Sequence, residues 1–395
     1  MSEIDEQFIR RAIRLAMNGR GRVEPNPMVG CVLLKDGRVI GEGFHAQFGG
    51  PHAEPDALAA CTESPAGATA YVTLEPCCHT DKKTPPCTPR LIAARVARVV
   101  VGCLDPNPDV NGKGLAMLRA AGIEVVGPVL EGPAKQLIAP FLANVNYLRP
   151  YVTLKWAQSS NGMVAGRMGR RVRITGDASD RLVHALRARC DAIAVGTNTV
   201  LNDDPLLTAR PADGKSRPLL RVVLSNTLKL PLESRLVRSA KEHPVIVYGS
   251  TSAVAQNASD VAHLRKAGVE VIALPDHEGH FSFADVLTDL HARRVTHLLV
   301  EPGPTLTRYF FSRGQADRVW VFRSANSLDE EGGLAISSAP LVNYPVTGEF
   351  AVDSVDTVTE YLNPASPVFF AAEPSADLVL ARDAQAPVAP SRIID

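Results

Sequence analysis

His52-Ala53-Glu54, then Glu75-Pro76-Cys77, then Thr84-Pro85-Pro86-Cys87, place an imidazole, two thiols and a carboxylate in a fixed order. His52, Cys77 and Cys87 make the donor set of a catalytic zinc, which keeps three protein ligands and leaves a fourth position for water. The metal lowers the pKa of that water from about 15.7 to roughly 7. Glu54, two residues after the histidine, then carries protons between water and substrate. This H-x-E…P-C order is a signature of a zinc site with an adjacent proton carrier, usually with two residues between the cysteines. Here nine residues separate Cys77 from Cys87. Cys78 is an alternative first thiol. The competing reading is a structural zinc site closed by a fourth ligand.

The elements that must hold these groups follow from length and periodicity. A chain of 395 residues, 45% of them hydrophobic, predicts two domains with substantial cores. Apolar residues at helical spacing mark residues 5–18 as a helix. Lys35-Asp36-Gly37 between two apolar runs reads as a hairpin. Residues 52–61 read as a helix and 70–74 as a strand. Cys77 is expected to open the next helix, where the dipole favours a thiolate. That arrangement brings the ligand segments together over one edge of the sheet. The pattern restarts near Arg149-Pro150, with short apolar strands predicted at 151–155, 192–195, 219–224, 245–248, 269–274 and 297–300. Helices are predicted at 177–189, 257–267 and 283–293. We read 1–147 and 148–372 as two α/β domains and 373–395 as a last strand followed by a mobile end.

Composition excludes several classes. The formal net charge is zero, and residues 1–146 carry 15 basic and 15 acidic side chains. No broad basic surface for nucleic acid follows from that balance. No apolar run approaches the ~20 residues of a membrane span, and the acidic start has no signal-peptide core. Seven scattered cysteines do not form a disulfide framework, so a cytoplasmic location is expected.

Thr73-Leu74-Glu75-Pro76-Cys77-Cys78-His79 and the Thr-Pro-Pro-Cys that follows resemble the deaminase half of the bifunctional riboflavin-biosynthesis deaminase/reductases. In that family the first cysteine is followed by Ser-His, then a Gly-Lys or Gly-Arg pair, with eight residues between the cysteines. Here Cys78 replaces the serine and Asp81-Lys82-Lys83 lengthens the loop by one residue. The segment from Val195 through Asn202-Asp203-Asp204-Pro205-Leu206-Leu207-Thr208-Ala209-Arg210 resembles the most specific motif of the reductase half. Arg149-Pro150-Tyr151-Val152-Thr153-Leu154-Lys155 and Leu299-Val300-Glu301-Pro302-Gly303-Pro304-Thr305 resemble its opening strand and its dinucleotide-side loop. The likeness spans roughly residues 5–325.

The resemblance implies a cytidine-deaminase-like three-layer α/β domain followed by a dihydrofolate-reductase-like α/β domain. It implies zinc-dependent deamination of a diaminopyrimidinone ribosyl phosphate, then reduction of the ribosyl to a ribityl chain with NADPH. Glu54 and Asp203 are the implied catalytic residues. Asn26, His79, Arg187, Leu207, Arg210 and Glu301 are implied substrate contacts. Gln158, Thr199, Asp203, Gly303, Pro304 and Thr305 are implied cofactor contacts. The chain departs from the family at Asn161, Arg171, Arg173 and Ser225. Those departures leave open a deaminase with a degenerate reductase half, and the longer Cys77–Cys87 loop, with Cys78 as a fourth ligand, leaves open a zinc-stabilised ligand-binding protein. The implied partner is a small molecule, with no nucleic acid or membrane, and there is room for a homo-oligomer.

Overall fold

Ser2 accepts a hydrogen bond from the backbone of Asp5, whose carboxylate reaches back to Ser2. This capping box opens the helix Glu3–Met17. Its buried stripe of Ile9, Ala12, Ile13 and Ala16 faces the first core. A computed structural model describes residues 2–79, 85–210, 218–277, 280–329 and 331–384. The Asp81-Lys82-Lys83 departure and the end of the tail lie outside the described residues.

Strands β1 (Gly30–Lys35), β2 (Arg38–Phe44), β3 (Thr69–Leu74), β4 (Arg98–Cys103) and β5 (Glu124–Val126) form one sheet in the order β2-β1-β3-β4-β5. The first three are antiparallel neighbours, and β3, β4 and β5 run parallel. Asp36 and Gly37 both take positive φ, 49° and 75°, as the two-residue hairpin turn requires. Strand residues alternate between two cores. Val32, Tyr71 and Val100 face the helices Glu3–Met17 and Glu131–Leu137. Leu33, Val72 and Val99 face Ala53–Ala59, Cys87–Ala93 and Lys113–Ala120. This is the expected three-layer domain.

The second sheet is built from β6 (Tyr151–Gln158), β8 (Ala192–Gly196), β9 (Leu220–Leu224), β10 (Val245–Ser250), β11 (Glu270–Leu274), β12 (His297–Val300), β13 (Arg318–Ser324), β15 (Val346–Ala351) and β16 (Asp356–Leu362). Its order is β11-β10-β9-β8-β12-β6-β13-β16-β15. A separate pair joins β7 (Met163–Ala165) to β14 (Leu334–Ala335). Strands from β11 to β13 run parallel, and β16 and β15 close that side antiparallel. The parallel strands are apolar on both faces, as burial between two helix layers demands.

Two expectations fail. The chain after Pro374 forms the helix Ala376–Asp383, capped by Ser375, and not a last strand. Leu378 and Ala381 pack into the second domain's core while Ala376 packs into the first. Periodicity also gave no sign of β15 and β16. Polar residues on these strands point inward: buried Glu360 accepts from Trp320 Nε1 at 2.7 Å and from Thr347 at 2.7 Å.

Candidate active sites

The first site lies beyond the C-terminal end of β3, the central strand, and not over a sheet edge. His52 is the N-cap of Ala53–Ala59, and Cys87 is the first residue of Cys87–Ala93. Cys77 does not open a helix. It sits in the turn after β3, and its carbonyl accepts the N–H groups of Cys87 and Thr88, each at 3.1 Å. Its sulfur also receives the Cys87 N–H at 3.4 Å.

Cys77 Sγ and Cys87 Sγ stand 3.5 and 3.3 Å from His52 Nδ1, and the three donor atoms lie within 4.8 Å of one another. Tetrahedral zinc with bonds of ~2.3 Å to sulfur and ~2.0 Å to nitrogen sets its donors roughly 3.5 Å apart. Cys78 is outside this group. The hydrogen bond from the Cys87 thiol outweighs burial and pulls Cys77 down to about 4, while the same contact pushes Cys87 far up. Two sulfurs at this distance cannot both ionise unless a cation stands between them. The donor chemistry therefore fits zinc. Buried Glu54 is raised to about 7 by desolvation and by the Cys77 thiolate.

Glu75 holds this geometry, a role that the motif alone did not reveal. Its buried carboxylate accepts the backbone N–H groups of Gly112 at 2.9 Å and Gly114 at 3.0 Å, tying the Pro76-Cys77 turn to Lys113–Ala120. A Cβ on Gly114 would lie 2.3 Å from the Pro76 carbonyl, so only glycine fits. Asn26 Nδ2 donates to His45 Nε2 at 3.1 Å, and His45 Nδ1 donates to the Pro51 carbonyl at 2.7 Å. Burial lowers the His45 pKa, which keeps that tautomer neutral. The His45 ring meets the His52 ring edge-on at 5.3 Å, so Asn26 stands one residue from the donor cluster. His79 is half-buried, and its Nδ1 has no hydrogen-bond partner among the described residues.

The second site is a cleft of about 2460 Å³. Thr199, Asp203, Glu301, Gly303, Pro304 and Thr305 line it. Gly303 caps the helix Pro304–Arg313, and no atom lies within 4 Å of where its Cβ would stand. That open helix start suits a cofactor phosphate. Burial raises the Asp203 pKa, against the pull of Arg171.

Other expected contacts stand away from the cleft wall. The Arg187 fork is engaged by Glu301, at 2.9 and 2.8 Å. Leu207 is a core side chain, 2% exposed, in a left-handed backbone conformation at φ 56°. Arg210 lies on the surface beside His184. Gln158 is buried and accepts from Trp156 Nε1 at 2.8 Å. Of the departures, Arg171 and Arg173 line the cleft. Ser225 is buried and caps Leu228, and Asn161 bonds the Leu328 carbonyl. Lys155 was missed. It lines the cleft, burial lowers its pKa, and Glu301 opposes that shift. A lysine closing an apolar strand was the signal for it.

Two family models divide the chain between them. Residues 2–103 match the cytidine and deoxycytidylate deaminase zinc-binding region, and residues 150–325 match the RibD C-terminal domain. The riboflavin biosynthesis protein RibD of Aquifex aeolicus is 38% identical, over 85% of this chain and 90% of its own length. The Escherichia coli protein of the same name is 38% identical, over 80% and 87%. This chain belongs to the RibD family. The RibD-type fold extends through both domains. A diaminohydroxyphosphoribosylaminopyrimidine deaminase/5-amino-6-(5-phosphoribosylamino)uracil reductase from Thermotoga maritima superposes with a TM-score of 0.75 at 36% identity, covering 91% of this chain and 99% of that one. Acinetobacter baumannii RibD superposes with the same score at 34% identity, covering 91% and 98%. Among the described residues, no helix is long and apolar enough to cross a membrane.

Proposed function

We propose that residues 1–147 hydrolytically deaminate 2,5-diamino-6-ribosylamino-4(3H)-pyrimidinone 5′-phosphate and that residues 148–372 reduce the ribosyl side chain to ribityl with NADPH. Residues 373–395 are the terminal segment. The observation that carries this reading is the His52–Cys77–Cys87 triangle with buried Glu54 against it, in one chain with the Asp203 cleft. His52, Cys77 and Cys87 would hold zinc, which when bound supplies an ionisable water at neutral pH. The Glu54 carboxylate, buried beside the donor triangle, takes and releases the proton. Glu54 accepts the proton that water gives up as its oxygen bonds to the amine-bearing ring carbon. It delivers that proton to the ring nitrogen, then passes the remaining proton of the added hydroxyl to the amine, so that the C–N bond breaks, ammonia leaves and the ring carbon keeps its oxygen as a carbonyl. Asn26, oriented by the bond from its nitrogen to His45, presents its amide oxygen and its second N–H to the substrate. His79 offers its ring to the sugar or phosphate.

NADPH, when bound in the cleft, would supply the hydride for the sugar's C1. Thr199, Gly303, Pro304 and Thr305 would hold it, and Asp203, on the same cleft wall, would orient the sugar. Glu301 is fixed by Arg187 and held as a carboxylate facing the substrate. Lys155, beside Glu301, is a further proton donor to the sugar. Gln158, Leu207 and Arg210 reach the ligands only through backbone atoms or after a shift of their segments. The cytoplasmic location and small-molecule partner complete the reading. Two single variants test it. Glu54→Gln abolishes ammonia release and leaves reduction of the deaminated intermediate intact; Asp203→Asn does the reverse. A variant that stops both reactions, or neither, contradicts the division.

A further inference from the structure

A buried ionic cluster lies where the two domains meet. Arg20 and Glu24 come from the first domain, His297 and Arg318 from the second sheet, and Asp377 from the C-terminal helix, beyond the residues that either family model matches. Asp377 is shared between the domains: Arg318 donates to it at 2.7 Å and Arg20 Nε at 3.2 Å. Arg20 also contacts Glu24 and His297 Nδ1. His297 Nε2 stands 2.8 Å from Thr153 Oγ1, which also accepts from Arg318 at 3.1 Å. All five charged or imidazole groups are at most 8% exposed. At that burial, charges are held in place by their partners, and losing one partner shifts the rest.

Glu24 also accepts the Gly21 N–H at 3.1 Å, and two residues later stands Asn26, bonded to His45. The Asn26 loop is thus fixed at one end by the interdomain cluster and at the other by the histidine beside the metal donors. We infer that Asp377 is a positioning residue for deamination: through Arg20 and Glu24 it sets the Asn26 loop against the His52 site. A residue of the C-terminal helix, packed partly on the reductase core, thereby controls substrate fit in the other domain. This inference rests on reading Asn26 as a substrate contact.

The test uses the full-length, zinc-loaded chain, with deaminase KM and kcat, reductase turnover of the deaminated intermediate, zinc content and Tm measured for each variant. Asp377→Asn and Glu24→Gln are each expected to raise deaminase KM by roughly 3- to 30-fold with kcat nearly unchanged, as coupling through a shared network does. Their double variant should raise it no further than the larger single effect. Asp317→Asn removes the partner of Arg149, at 2.7 Å within the second domain and outside the cluster, and is expected to lower Tm without moving KM. If Asp377→Asn does not fold, Glu24→Gln carries the same test. Lowered Tm in Glu24→Gln or Asp377→Asn with unchanged KM overturns the inference. An Asn26→Ala variant separates the two failures. If it raises KM while the others do not, only the link is wrong; if it leaves KM unchanged, the reading of Asn26 falls and the inference with it.

Discussion

Glu54 is the residue on which the deamination account turns. Its carboxylate is buried and raised to about 7, while the donor atoms beside it need no contribution from it. Glu54→Gln should therefore lower deaminase kcat by about 10²- to 10⁴-fold, the usual worth of general acid–base catalysis. Zinc content by metal analysis should stay at wild type; loss of the metal would reassign Glu54 to the coordination shell. Glu301 gives a test in pH. Burial pushes its pKa up, but Arg187 and Lys155 outweigh burial and hold it at about 2, below its ordinary 4.5. Between those values the unfolded chain binds the proton and the folded chain does not. The stability this pair contributes is therefore complete above pH 4.5 and is lost as pH falls toward 2. Glu301→Gln should melt below wild type at pH 7, and the gap should close across that acid window. A gap independent of pH would mean that the carboxylate is not held by its cationic neighbours.

At the scale of elements, the zinc turn depends on how closely Lys113–Ala120 approaches Pro76. Gly114→Ala puts a methyl 2.3 Å from the Pro76 carbonyl and 3.2 Å from Glu75 Oε1. The strain should cost about 1–3 kcal/mol of stability and weaken zinc retention, read by thermal melting and by competition with a chelator. Unchanged values would show that the turn can give way. This close packing also marks where the sequence stopped being legible. His52, Glu54, Cys77 and Cys87 were readable as a candidate cluster because they lie in short local motifs, and the fold brings the three donors within 4.8 Å of one another. The apolar strands of both sheets were readable because burial on two faces leaves uninterrupted runs. Cys77 was misplaced at a helix start because the helix that points at it begins ten residues later, after a loop of unusual length. β16 was missed because polar Asp356, Thr359 and Glu360 interrupt its buried apolar residues Val358 and Leu362, and Glu360 is satisfied by Trp320 and Thr347. The roles of Arg187 and Leu207 as contacts came from likeness alone. The ion pair with Glu301 and the left-handed turn that buries Leu207 depend on tertiary packing.

Across the whole molecule, the C-terminal segment touches both cores. Val368 and Ala376 pack into the first, and Leu378 and Ala381 into the second. Gln136 Oε1 accepts the Phe370 N–H at 3.0 Å, and Ser366 donates to Asp317 at 2.6 Å. A chain ending at residue 372 would leave Arg20 and Arg318 without Asp377. It should melt in two separated transitions by calorimetry, where the full chain melts in one. A single transition at the wild-type temperature would show that the helix Ala376–Asp383 holds nothing together. The fusion of two active domains is the central claim. Its most direct test is one incubation of the zinc-loaded chain with the diaminopyrimidinone ribosyl phosphate, with and without NADPH, read by mass spectrometry. The account predicts a gain of about one mass unit without NADPH, as an amine is exchanged for oxygen, and a further gain of about two when NADPH is present. No first shift would contradict the deaminase assignment. A first shift without the second would contradict the reductase assignment and trace the loss to the Arg171 and Arg173 wall of the cleft.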